Sequence, residues 1–297
     1  MLRQHGLFCV GFVVLCGLAL WLWLGGGADR IALWAASEQR EVQNGLARAL
    51  RAVRAGEPAA WLGLLGLCFT YGFVHAAGPG HGKLIMGGYA LARDVPRAKL
   101  VIMTLAGALG QAVTAILLVY AGVFVLGWGR AQMTGLADGS LALVSAVAIV
   151  AVGLWLFWRG IARWRSANSA ADDGHTHGAS CGHAHGPDLA DIAQTQSMSD
   201  AVAVILAVAI RPCTGALFVL ILTYGMGIWL AGIAGAVVMA LGTAVLTLCV
   251  ALGIGAARSG LAARLNGPAG LRSMAGLEIL AGLCVVLVSG QVALRLI

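Results

Sequence analysis

Charge is what this sequence has least of. Only 10% of its 297 residues are Asp, Glu, Lys or Arg, against about 25% in soluble domains. Apolar residues reach 60% before the 43 glycines are counted. That balance excludes a soluble enzyme, a disordered chain and a nucleic-acid-binding domain. The net charge of +7 would point to nucleic acid in a soluble protein; in a chain this apolar the arginines mark topology instead. Period-two alternation is also lacking, which excludes a membrane barrel. The seven cysteines make no disulfide framework. Cys9, Cys16, Cys68, Cys249 and Cys284 sit inside apolar runs, where a thiol is a small hydrophobe; only Cys181 and Cys213 have informative neighbours.

Long uncharged runs take the place of charge, and a membrane span needs roughly 20 apolar residues. Leu7–Ala28, Ala59–Gly82 (continuing past Lys83 to Ala92), Leu100–Gly129 and Gly139–Trp158 qualify. Ala201–Ala257 is long enough for two spans turning near Tyr224–Trp229, and Leu271–Ile297 is the last. The fold class is therefore all-α, a polytopic membrane helix bundle of 6–7 transmembrane helices. Residues 1–28 read as an N-terminal anchor or a signal peptide, and either places residue 30 outside. Arg93, Arg97, Lys99, Arg159, Arg163, Arg165, Arg258, Arg264 and Arg272 then fall on the inner side. The loop at 128–138, with Arg130 alone, falls outside. The segment 29–58 is a periplasmic amphipathic helix with an apolar stripe of Ile31, Trp34, Val42, Leu46, Leu50 and Val53. It lies on the outer surface, or across the mouth of the bundle. Residues 59–161 form a first transmembrane half, 162–200 a cytoplasmic loop and 201–297 a second half.

Two spans are interrupted. Tyr71-Gly-Phe-Val-His75-Ala-Ala-Gly78-Pro79-Gly80-His81-Gly82-Lys83 cannot be a straight helix, since proline removes a backbone hydrogen bond and glycine weakens the turn. Arg211-Pro212-Cys213-Thr214-Gly215-Ala216 breaks the first helix of the second half in the same way. Lipid cannot satisfy the freed backbone groups, so both breaks belong inside the protein or beside water. One broken leading helix in each set of three is the pattern of a 3+3 inverted repeat, whose breaks meet at a substrate site.

Intramembrane ionisable groups are functional candidates because they are costly. On an unbroken helix His75 and His81 would lie about 240° apart; the break lets the imidazoles converge. Imidazole suits Zn²⁺, Ni²⁺, Co²⁺ and Cu²⁺ rather than Mg²⁺ or Ca²⁺, and Cys213 is a further ligand candidate. Lys83, Arg211 and Glu278 are transport-path candidates. The lysine and arginine either snorkel inward, pair with Glu278, or hold the place of an absent cation, and pairing is the favoured reading. Gly80-His81-Gly82-Lys83 is no phosphate loop: Ala77 stands where that motif has glycine and Leu84 where it has Ser or Thr.

Between the halves His175, His177, Cys181, His183 and His185 fall within eleven residues. Such tracts bind metal, and their loose spacing matches no closed zinc site. The loop reads as an exchangeable collector, against the plainer alternative of a solvated linker.

The run from Tyr71 to Lys83, followed by Tyr89, closely resembles the signature of NicO-type nickel/cobalt efflux transporters. Arg211–Ala216 resembles that family's second signature, and a His-rich loop lies between them. The resemblance covers about residues 59–297. It implies a bacterial inner-membrane protein, not an enzyme, that moves Ni²⁺ or Co²⁺ out of the cytoplasm with metal residues at His75 and His81 and no permanently bound cofactor. Partners would be membrane lipid and transition metal ions, with no nucleic acid. Some relatives are similar to zinc importers working with a periplasmic partner protein, so Zn²⁺ uptake is the alternative. A transmembrane thiol-electron conduit using Cys213 and Cys68, and a metal sensor without transport, are further alternatives. No ATP-binding motif is present, so energy would come from a gradient or another subunit.

Overall fold

The computed structural model describes residues 21, 25–78, 81–172, 198–264 and 267–297. Among them there is no strand. The helices are α1 (Gly27–Arg54), α2 (Ala60–Ala77), α3 (His81–Ala92), α4 (Arg97–Phe124), α5 (Arg130–Leu136), α6 (Ala142–Asp172), α7 (Met198–Ala209), α8 (Thr214–Gly225), α9 (Trp229–Ala262) and α10 (Gly267–Leu296). Five stretches are long and apolar enough to cross a membrane: 60–77, 97–124, 130–167, 229–262 and 270–296. The α7–α8 pair, bent by 56° at its break, makes a sixth. The run Leu7–Ala28 lies outside the described residues apart from Trp21 and 25–28.

Local sequence explains where helices stop. Asp29 in the first turn of α1 and Arg51 and Arg54 in its last complement the helix dipole. Gly56, at φ +81°, then ends the helix in the left-handed region. Gly78 is extended, with ψ 169°, because the residue before a proline is driven out of the α region. The same rule breaks the chain at Arg211-Pro212, and Cys213 caps α8 from extended backbone.

Two expectations are corrected. Residues 128–138, read as an outer loop, are largely helical: α5 continues through a π-helical turn, Ala137–Leu141, into α6. Polar Asp138 and Gly139 masked this continuity in the sequence, while Met133 and Ala137 are buried in the core. The helix α6 also carries on past residue 161 to Asp172.

Segment 29–58 forms its amphipathic helix, but the C-terminal part is seated on protein. Leu46 and Leu50 are 0% exposed and share a core with Leu64, Cys68 and Tyr71 of α2. Ile31, Leu33 and Trp34 near the other end stay exposed.

The halves repeat one order: short helix, break, short helix, tight turn, long helix, long helix. They interlock. The helix α2 packs on α9 of the other half, α7 packs on α4, and α6 pairs with α10. Backbones touch where glycine allows it: a Cβ on Gly72 would strike the Met239 carbonyl, and one on Gly242 the Phe69 carbonyl. Small residues at helix crossings replace the hydrophobic drive that lipid cannot supply.

Among the described residues, ion pairs join one half to the other. Arg93 meets Asp200 at 3.7 Å, and Arg258 meets Asp94 at 3.4 Å. Glu278 takes Arg163 at 2.8 Å and Arg159 at 3.5 Å. Arg93 also lies 5.4 Å from the Trp155 ring centroid, as does Arg159.

Candidate functional site

The two helix breaks line a shared cavity of about 230 Å³. His75, in the last turn of α2, faces it together with Cys213 at the start of α8. Their side chains lie close enough to interact. His75 Nδ1 is buried with no hydrogen-bond partner. An orphaned buried nitrogen is costly, and its lone pair or proton is what a bound ion, water or substrate group would satisfy. Cys213 is 9% exposed, and its sulfur faces the backbone N–H groups of Gly215 and Ala216.

Tyr71 holds this pair in place. Its ring stacks on His75 one turn away, with centroids 6.0 Å apart and planes inclined by 9°. Gln43 of α1 donates to its hydroxyl from Nε2 at 3.2 Å. A Cβ on Gly215 would enter the Tyr71 ring, so glycine is what lets α8 start beside it. A tyrosine four residues before a histidine on one helix face is the sequence signal for this stack.

Hydroxyl and amide groups complete the wall: Gln111, Ser145, Thr214, Thr243 and Thr247. Two of them, with Thr114 nearby, satisfy backbone left open at the end of α7. Ser145 Oγ donates to the Ala207 carbonyl at 2.7 Å, Gln111 Nε2 to Val208 at 3.2 Å and Thr114 Oγ1 to Ala209 at 2.8 Å. Gln111, the lone amide in its apolar run, could have been singled out from sequence. The hydroxyls could not, because Ser and Thr also bond their own helix.

Lys83 and Arg211 line the cavity. The expected pairing of either with Glu278 is overturned. Lys83 Nζ donates to the carbonyls of Ala77 at 3.0 Å and Gly78 at 2.6 Å. Glu278, 0% exposed, is engaged by Arg159 and Arg163 between α6 and α10, and it does not line the cavity. The physical reason is reach: carbonyls freed by the α2 break lie beside Lys83, whereas Glu278 faces the arginines of the neighbouring long helix. Among the described residues lining the cavity there is no carboxylate.

His81 opens α3; its side chain lies outside the described residues, as do His175, His177, Cys181, His183 and His185. Among the described residues no group of three or more His, Cys, Asp or Glu gathers. His75 and Cys213 bring a borderline nitrogen and a soft sulfur to the same cavity.

A polytopic helix bundle with two broken spans meeting at a shared cavity has the architecture of a membrane carrier. The NicO family model, described as high-affinity nickel-transport protein, matches residues 61–178. That match takes in the first signature and ends before Cys213. A Haemophilus influenzae protein named "Putative nickel/cobalt efflux system" is 29% identical over 226 residues, 70% of each chain. The nickel/cobalt efflux system RcnA of Escherichia coli K12 is 28% identical over 106 residues, 36% of each chain. No solved structure matches the chain.

Proposed function

We propose that this chain carries Ni²⁺ or Co²⁺ out of the bacterial cytoplasm across the inner membrane. The observation that carries the reading is His75, its Nδ1 unpartnered, lining one cavity with Cys213 at the meeting of two helix breaks. Two protein ligands leave coordination positions for water, and an incomplete shell suits an ion that must also leave. His81, one residue past the break, is the third ligand. The loop histidines His175, His177, His183 and His185, with Cys181, gather ions on the cytoplasmic side, which the arginine distribution assigns to that loop. Rocking of the interlocked halves exposes the cavity alternately to each side. The relatives' names carry nickel and cobalt, which favours these ions over zinc and efflux over uptake with a periplasmic partner.

The thiol-conduit reading needs a cysteine pair. Cys68 and Cys213 are both free, and Cys68 faces Gly235 of α9 while Cys213 faces His75.

Cellular metal content tests the proposal. Cells expressing the chain should hold several-fold less Ni²⁺ and Co²⁺ than control cells, with Zn²⁺ unchanged. His75→Ala and His81→Ala should each abolish the difference. Raised metal content would reverse the direction, and unchanged efflux in both variants would remove the site.

A further inference from the structure

Lys83 sits where chemistry places a cation site. The α2 break leaves the carbonyls of Ala77 and Gly78 without helical partners, at the negative end of a helix. Ends of this kind, in broken transmembrane helices, coordinate dissolved monovalent cations. Here two carbonyl oxygens lie 3.0 and 2.6 Å from the Lys83 ammonium nitrogen, the short charge-assisted contacts of a cation held by oxygen. Lys83 itself lines the cavity that holds His75 and Cys213.

The other half shows that satisfying such carbonyls does not require charge. At the end of α7 the carbonyls of Ala207, Val208 and Ala209 are met by the neutral groups of Ser145, Gln111 and Thr114. One break is closed by three neutral donors and the other by a full positive charge, in a cavity that already contains Arg211. A second cation in a wall with no carboxylate among the described residues is electrostatically expensive. A neutral donor in its place would serve if capping were the whole purpose.

We propose that the Lys83 ammonium is a tethered occupant of an alkali-cation site formed by the Ala77 and Gly78 carbonyls. Because the charge is covalently attached, it cannot leave with the cargo. The site therefore carries no Na⁺ or K⁺ coupling in the native chain. Removing the ammonium exposes a vacancy that a dissolved Na⁺ or K⁺ fills.

The test is thermal unfolding of the purified full chain in detergent, native and Lys83→Ala, in NaCl, KCl or choline chloride at equal ionic strength. No nickel is added, so the outcome is independent of the cargo assignment. The expected result is a saturable rise of several degrees in the Lys83→Ala midpoint with NaCl or KCl but not choline, and no alkali-specific rise in the native chain. A variant that purifies in NaCl or KCl but not in choline supports the proposal equally. A folded variant indifferent to alkali ions overturns it, as does an equal alkali effect on the native chain. Should Lys83→Ala fail to fold in every salt, Lys83→Ser, which leaves room for an ion and adds an oxygen, takes its place. Failure of both in every salt would mean that alkali ions cannot replace the ammonium, and the proposal falls.

Discussion

Replacing Glu278 by Gln separates two roles for this buried acid. Its carboxylate is 0% exposed and lies 2.8 Å from Arg163 and 3.5 Å from Arg159. At an effective dielectric constant of about 20 the gross attractions are about 6 and about 5 kcal/mol. Desolvation of the carboxylate and repulsion between the arginines offset most of this, and breaking a buried pair costs about 3–5 kcal/mol. Arg163 and Arg159 are 36% and 20% exposed, so water recovers part of what is lost. The expected destabilisation is therefore about 2–3 kcal/mol, placing it at or below the lower edge of that range. Thermal unfolding in detergent should show a midpoint lower by several degrees. Nickel affinity at the cavity should be unchanged, since Glu278 does not line it. The double variant Glu278→Met/Arg163→Met should recover much of the loss, because an apolar pair leaves one fewer uncompensated charge. An unchanged midpoint together with weakened nickel binding would refute the reasoning and return Glu278 to the transport path.

Three further outcomes follow from the packing. Gly215→Ala drives a Cβ into the Tyr71 ring; overpacking costs about 1–3 kcal/mol, and displacement of the His75 stack should weaken nickel binding at least tenfold by calorimetry in a chain that still folds. Leu50→Ala should lower stability by about 2–4 kcal/mol, since Leu50 is 0% exposed in a protein core; a neutral result in detergent would mean that α1 is not seated on the bundle. Gly72→Val pushes α2 off the Met239 carbonyl, and little folded protein should survive extraction on size exclusion.

The all-α membrane bundle was legible because apolar runs and charge gaps are set by lipid itself, and both broken helices announced themselves through Gly78-Pro79-Gly80 and Arg211-Pro212. The union of His75 with Cys213 was legible only as an expectation, because it depends on how α2 and α8 cross. The partners of Lys83 were misread for the same reason: sequence shows that a buried lysine needs oxygen, not whether a carboxylate or a freed carbonyl supplies it. The helical course of 130–141 was hidden because Asp138 and Gly139 look like a loop while a π-turn carries the helix through them. The seat of α1 was half visible, its stripe in the sequence and its contact with Tyr71 through Gln43 only in the fold.

The central claim is that His75 and Cys213 together hold the transported ion. Flux of Ni²⁺ across sealed vesicles containing the purified full chain tests it most directly, comparing the native chain with His75→Ala, Cys213→Ser and the double variant. The account predicts saturable flux in the native chain, at least a tenfold loss in each single variant, and a double variant little worse than either, because one site is lost in all three. Native flux in both single variants would contradict it.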